Sequence, residues 1–292
     1  MKKHNRVLVC GSNGQLAQAI LRFAPTASSC IGKTRAQLDI SSRENVAQVF
    51  SDIQPDLVIN GAAYNLVDKA ETDGQGDAFR VNAQGVAALS EACKKADVPL
   101  VHFSTDFVFD GTKKTPYTEE DCPCPLSVYG VSKLAGEQIA LCSSTRNLAI
   151  RVCRVFGPIE HGESTQKPAG NFPLLMMKLG RERDKLRVVN DQVGAPSHTH
   201  DLAKALWQLV ENEQSGLFHL SNEGEVAFDE YAREVFRLAK ISCEIESISS
   251  EEYGAAARRP LYSTLSNEKA HSVGVTPLRH WKDALREFVE SR

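Results

Sequence analysis

A glycine turn set between an apolar strand and an amphipathic helix, at the very start of the chain, restricts the accessible folds more than any other feature. Arg6-Val7-Leu8-Val9-Cys10 runs straight into Gly11-Ser12-Asn13-Gly14-Gln15-Leu16-Ala17, after which Leu16, Ala19, Ile20 and Phe23 recur at helical spacing. Strand, glycine turn and helix in that order open a βαβ unit that can take a dinucleotide. Gly11 permits the tight turn, Gly14 lets the backbone approach a pyrophosphate, and Ala17 supplies the small residue where helix meets strand. The free N–H groups and positive dipole of the helix start then face the phosphates. An ordinary strand-to-helix turn would need Gly11 only for its φ freedom.

The rest of the first half keeps the same alternation. Its patterns predict strands near 6–10, 28–32, 56–60, 98–104 and 148–153, and helices near 14–23, 42–53, 75–96 and 127–143. Ser41-x-x-Glu44 reads as a capping box ahead of the Val46, Val49, Phe50, Ile53 stripe. Alternation of this kind implies an α/β fold, a Rossmann-type doubly wound parallel sheet with right-handed crossovers. It assigns 1–156 to a dinucleotide-binding domain. After Arg151 the pattern breaks into a loop rich in Gly and Pro, from Gly157 to Gly170. Residues 157–292, with helices near 200–212, 228–239 and 278–290, read as a smaller mixed α/β substrate lobe that exchanges segments with the first domain.

Charge and composition exclude several classes. A net charge of −3 gives no field to hold a polyanion, so no nucleic-acid partner is expected. No signal peptide and no apolar run of bilayer length is visible, which implies a cytoplasmic protein with no membrane partner. Cys10, Cys93 and Cys153 lie in apolar patterns and read as buried small residues. Cys122-Pro123-Cys124 has the wrong spacing for a zinc or redox pair. His198-Thr199-His200 reads as a helix start capped by Ser197 or Thr199 rather than a ligand pair, so no metal is expected.

In Ser127-Val128-Tyr129-Gly130-Val131-Ser132-Lys133 a tyrosine and a lysine stand four apart, on one face of a helix. A phenol titrates near 10; a neighbouring ammonium would lower that and make a general acid for a carbonyl oxygen. Functional sites of open α/β sheets lie beyond the carboxyl ends of the strands. Gly11 to Gly14, Asn60 to Ala63 and Ser104 to Asp106 each follow a predicted strand and should meet in one crevice.

The Gly-x-x-Gly-x-x-Ala spacing, taken with Tyr129-x-x-x-Lys133, resembles the extended short-chain dehydrogenase/reductases. The blocks Val67-Asp68-Lys69-Ala70-Glu71, Ser104 to Gly111, Pro125 to Gly130 and Asn190 to Pro196 look like the dTDP-4-dehydrorhamnose reductase family, and the likeness covers essentially the whole chain. The resemblance implies hydride transfer from a reduced nicotinamide to the C4 ketone of a nucleotide-linked 6-deoxyhexose. It implies that Tyr129 protonates the alkoxide, that Lys133 assists it and binds the nicotinamide ribose, and that Thr105 holds the carbonyl oxygen. It further implies cofactor contacts from Gly11, Asn13, Gly14, Gln15, Leu16, Arg35, Asp39, Ile40, Ala62 and Ala63, and substrate contacts from Asp106, Asn171 and Arg259. Lys33 and Arg35, with no acid after the second strand, suit the 2′-phosphate of NADPH, leaving NADH open. A homodimer is left open too.

Related dehydratases carry Thr-Asp-Glu where this chain has Thr105-Asp106-Phe107, so the base for expelling water is missing and reduction fits better. Reduction or epimerisation of another nucleotide sugar stays open, as does a non-catalytic NADP-binding role like that of the methionine adenosyltransferase β subunit. Departures from the family lie at Cys153-Arg154, at Tyr64-Asn65 and in the loop from Ile159 to Ala169, all expected to border the sugar. The stretch Gly157 to Asn171 is expected to act as a lid over it.

Overall fold

The computed structural model describes residues 4–159 and 170–292. Its strands are β1 (Arg6–Cys10), β2 (Ser29–Lys33), β3 (Leu57–Asn60), β4 (Leu100–Thr105), β5 (Leu148–Val152), β6 (Lys185–Val189), β7 (Gly216–Leu220) and β8 (Glu244–Ile248), besides several two-residue pairings. Its longer helices are α1 (Gln15–Arg22), α2 (Arg43–Ile53), α3 (Gly85–Ala96), α4 (Val128–Ser143), α5 (Phe172–Glu182), α6 (Thr199–Glu211), α7 (Phe228–Ala239) and α8 (Trp281–Glu290).

Side chains on a strand alternate between faces, and β1 shows why the sheet is wound on both sides. Val7 and Val9 pack with Ile59 and Val101 against Ile20 of α1 and Leu202 and Leu206 of α6. Leu8 and Cys10 point the other way, into a layer with Val46, Val49 and Phe50 of α2 and Val86, Leu89 and Cys93 of α3. A strand buried on both faces has no polar alternation, which is why β1, β3 and β4 read as continuous apolar runs.

All six strands of the main sheet are parallel, in the order β7-β5-β4-β3-β1-β2. The chain reverses its direction of progress between β1 and β3, and the crevice for a ligand opens outside the strand ends at that switch point. The sixth strand, β7, comes from the second half and pairs with β5 from Leu148 to Val152. A boundary at 156 therefore cuts through the sheet. Around the parallel pair β6 and β8, α5, α7 and α8 enclose a second core that includes Met176, Leu186, Tyr231, Phe236, Trp281 and Phe288.

Local capping differs from the sequence reading in two places. Ser42, not Ser41, caps α2 by accepting from the Asn45 N–H at 3.2 Å, because the Ser41 hydroxyl donates to Asp39 at 2.6 Å. At α6 the cap position is His198, with no side-chain capping bond; the Asn222 side chain receives its N–H at 2.7 Å instead. The helix predicted over 75–96 is interrupted by a π turn at Arg80–Gln84. Among the described residues no helix is long and apolar enough to cross a membrane.

Candidate active site

The crevice is built where the loops after β1 and β3 touch. Gly11 has φ of 73°, and a Cβ there would lie 2.8 Å from both the N and Cα of Ala62. No other residue fits. The N–H groups of Gly11 and Ser12 bond to the Lys33 carbonyl at 2.9 and 3.0 Å, fastening the turn to the end of β2. Gly14 caps α1 with extended backbone and, being glycine, places no side-chain cap on its first turn. Those N–H groups suit a pyrophosphate. Gln15 faces its neighbours instead: its amide donates to Val155 O at 3.1 Å and its carbonyl accepts from Asn171 at 3.0 Å.

At the far end of the crevice, Asp39 and Ile40 follow β2. Burial pushes the Asp39 carboxyl up, but the Ser41 hydroxyl and N–H, with Arg80 and Arg35, hold it below its ordinary range. Arg80 donates to the Ser41 hydroxyl at 2.7 Å. Arg80 lies 41 residues beyond Asp39, at the start of the π turn Arg80–Gln84, and a polar residue in a helical pattern does not reveal its partner in the sequence.

The catalytic candidates converge at the end of β4. Tyr129 and Lys133 share one face of α4 and are both buried. The Tyr129 phenol donates to Asn65 at 3.4 Å, and the Thr105 side chain acts on it from the end of β4, opposing the rise of its pKa. Phe107 stands edge-on to the Tyr129 ring, centroids 5.8 Å apart. An apolar side chain therefore flanks the phenol.

One expectation is corrected here. Lys133 does not lower the pKa of Tyr129 in this structure; its ammonium donates to the Phe103 carbonyl at 2.5 Å. Burial raises the phenol well above 10, with the Thr105 bond opposing and Asp106 reinforcing the rise. Burial lowers Lys133 to about 8, against an opposing pull from Glu137.

Residues to which the sequence assigned no role hold this helix in place. Ser127 caps α4 by accepting from the Gly130 N–H at 3.1 Å. Glu71, the last residue of the Val67 to Glu71 block, accepts from the Val128 N–H at 2.7 Å. Asn82, in the π turn, donates to the Ser132 hydroxyl at 3.0 Å and pairs with the Tyr64 backbone in both directions. The turn can come this close because residue 136 is glycine; a Cβ there would lie 2.0 Å from the Asn82 carbonyl oxygen. The sequence signal was a polar residue inside an apolar helical pattern, which does not reveal its partner.

The expected substrate residues are already engaged. Asp106 is buried, accepting from Cys153 and from Thr105, each at 3.1 Å; burial raises its pKa, opposed by Ser263, Cys153, Arg154 and Thr105. Asn171 caps α5, its carbonyl accepting from Leu174 N–H at 3.2 Å and its amide donating to Gly157 O and Gln15. Both amide hydrogens are thus used within the protein. Arg259 makes a bidentate pair with Asp68 at 2.7 and 3.0 Å. Arg154, with φ of 44°, donates to Val226 O and Gln192 O and lies 3.8 Å over the Phe228 ring. It ties the end of β5 to the second lobe. Of the stretch Gly157 to Asn171 expected to form a lid, residues 160–169 lie outside the described residues. Among the described residues no three His, Cys, Asp or Glu side chains group to hold a metal.

Residues 5–292 match the family model described as the RmlD substrate binding domain. A spore coat polysaccharide biosynthesis protein, SpsK, of Bacillus subtilis (strain 168) is 35% identical over 98% of both chains. A dTDP-4-dehydrorhamnose reductase of Sinorhizobium fredii is 35% identical over 97% of this chain and 96% of its own. Among solved structures, a dTDP-4-dehydrorhamnose reductase from Bacillus anthracis in complex with NADP superposes with a TM-score of 0.92 at 31% identity, covering 99% of this chain and all of that one.

Proposed function

The chain belongs to the RmlD substrate binding domain family, and from that premise we propose that it uses NADPH to reduce the C4 ketone of a nucleotide-linked 6-deoxy-4-keto-hexose, as in the conversion of dTDP-4-dehydrorhamnose to dTDP-L-rhamnose. The observation that carries this reading is the buried Tyr129 phenol, with Lys133 one turn along the same helix face and Thr105 acting on it from the end of β4.

The donor set fits the cofactor. The first turn of α1, which Gly14 leaves without a side-chain cap, and the Gly11 to Gly14 backbone would receive the pyrophosphate, Asp39 and Ile40 would border the adenine, and Arg35 would reach the 2′-phosphate. Lys133 would bind the nicotinamide ribose, and the bound cofactor supplies a hydride to C4. The chain's own part is to hold and protonate the oxygen. Thr105 positions the carbonyl oxygen by a hydrogen bond, and Tyr129 delivers its phenolic proton to that oxygen as the C–H bond forms at C4. Burial keeps the phenol protonated at neutral pH. An alkoxide is a far stronger base than a phenolate, so it takes the phenolic proton.

Incubation with NADPH and dTDP-4-keto-6-deoxy-L-lyxo-hexose tests the assignment. The wild type should oxidise NADPH only when the sugar nucleotide is present. Tyr129→Phe should still bind NADPH yet turn over about a hundredfold or more slowly, given the usual 10²–10⁴ contribution of a general acid. A subunit that only binds cofactor would oxidise nothing, and a Tyr129→Phe variant with wild-type kcat would remove the tyrosine from the chemistry.

A further inference from the structure

Asp106, the first residue past β4, is buried, and both of its carboxylate oxygens are acceptors. The Thr105 hydroxyl donates to Oδ1 at 3.1 Å, and the Cys153 thiol donates to Oδ2 at 3.1 Å. Strand pairing brings the thiol there. Thr105 is the register partner of Val152, so the residues that follow them leave the sheet side by side. Burial raises the Asp106 carboxyl, while Ser263, Cys153, Arg154 and Thr105 favour its ionised form. Arg154 contributes its charge alone, its guanidinium donating to the Val226 and Gln192 carbonyls, each at 2.8 Å.

A threonine hydroxyl has one proton and two lone pairs. In Thr105 the proton goes to Asp106, and the oxygen accepts from the Phe107 N–H at 3.2 Å. What remains is a lone pair, which can receive a proton donor but cannot bind a carbonyl oxygen. The hydrogen bond that the reduction asks of Thr105 therefore forms only if its proton leaves Asp106. A bond to an ionised acceptor is the stronger kind, so this exchange costs affinity for a ketone.

An alcohol meets no such cost, because its own proton can go to the free lone pair. We propose that Asp106 is a positioning residue that competes with the substrate ketone for the Thr105 proton, so that the resting site favours the product alcohol over the ketone. It acts on the sugar through Thr105. When the ketone enters, the Thr105 proton swings from Asp106 to the carbonyl oxygen. Once Tyr129 has protonated that oxygen, the new hydroxyl offers its proton to Thr105, and the Thr105 proton returns to Asp106.

This inference rests on the proposed reduction, and its test keeps the two apart. Dissociation constants are measured for dTDP-4-keto-6-deoxy-L-lyxo-hexose with NADP+ and for dTDP-L-rhamnose with NADPH, pairs that cannot react. The proteins compared are wild type, Asp106→Asn, Thr105→Val and the double variant Thr105→Val/Asp106→Asn. In Asp106→Asn the side-chain amide can donate to the Thr105 oxygen, which frees the Thr105 proton. That variant should bind the ketone about tenfold more tightly, the smaller end of what a hydrogen bond to a charged group is worth, and the alcohol no more tightly than wild type. On the Thr105→Val background the same change should alter ketone affinity by less than about twofold, because no hydroxyl is left to release. Asp106→Ala, which removes the competing acceptor outright, should show the same gain and decides alone if the amide variant does not fold. Ketone binding that is unchanged or weakened in the Asp106 variants, or altered equally with and without Thr105, overturns the proposal. Wild-type protein that binds neither sugar nucleotide would instead count against the functional reading.

Discussion

Tyr129 and Lys133 both lose water when α4 packs against β4, and the loss moves their pKa values in opposite directions. The phenol is kept as an acid, and the ammonium is brought close to physiological pH. For Lys133 the consequence has two signs. Its folded pKa of about 8 lies below its ordinary value of 10.5, so the unfolded chain binds more protons between those values and the stability of the cofactor-free protein gains as pH rises through that window. Cofactor binding, which needs the cation, weakens over the same rise. Melting temperature against pH should show that gain in the wild type and lose it in Lys133→Met, in which cofactor binding is weak at all pH values. If both proteins share one pH–stability curve, Lys133 is not the titrating group. That Tyr129 and Lys133 share one helix face was legible from their spacing. The Phe103 carbonyl that holds the lysine was not, because a backbone acceptor carries no residue identity.

Among elements, α4 shows how the fold delivers its chemistry. Its first turn presents Tyr129, and two acceptors from different parts of the chain, Ser127 and Glu71, receive its N–H groups. Glu71→Ala should cost about 1 kcal/mol of stability, as for other lost caps. It should also lower kcat, because the turn that aims the phenol is loosened. Denaturant midpoint and kcat measured on the same variant check both; unchanged kcat in a destabilised protein would show that the cap serves folding alone. Helical periodicity and glycine punctuation made most elements legible. The π turn at Arg80–Gln84 was not, since it follows from Asn82 reaching both Tyr64 and Ser132 across Gly136. The capping serine of α2 shifted by one residue for a similar reason, the Ser41 hydroxyl being taken by Asp39.

For the molecule as a whole, the sheet and the crevice at its switch point followed from the N-terminal turn and the alternation after it. The joining of β7 to β5 did not, because sequence patterns show that a strand exists but not which edge it completes. That strand binds the second lobe into the first, alongside the Arg154 contacts and the Asp68–Arg259 pair. Lys33 and Arg35 at the end of β2, with no acid to claim a ribose hydroxyl, predict a higher kcat/KM with NADPH than with NADH. The preference should narrow as salt screens the half-buried Lys33 and the exposed Arg35, and equal values at low ionic strength would show that they do not read the phosphate. The central claim, hydride delivery to C4 with protonation of its oxygen, is tested most directly with NADPH carrying deuterium at the transferable position. The account predicts one deuterium per product molecule, bonded to C4 of the hexose; a product with deuterium at another carbon, or reduced without any, would contradict it.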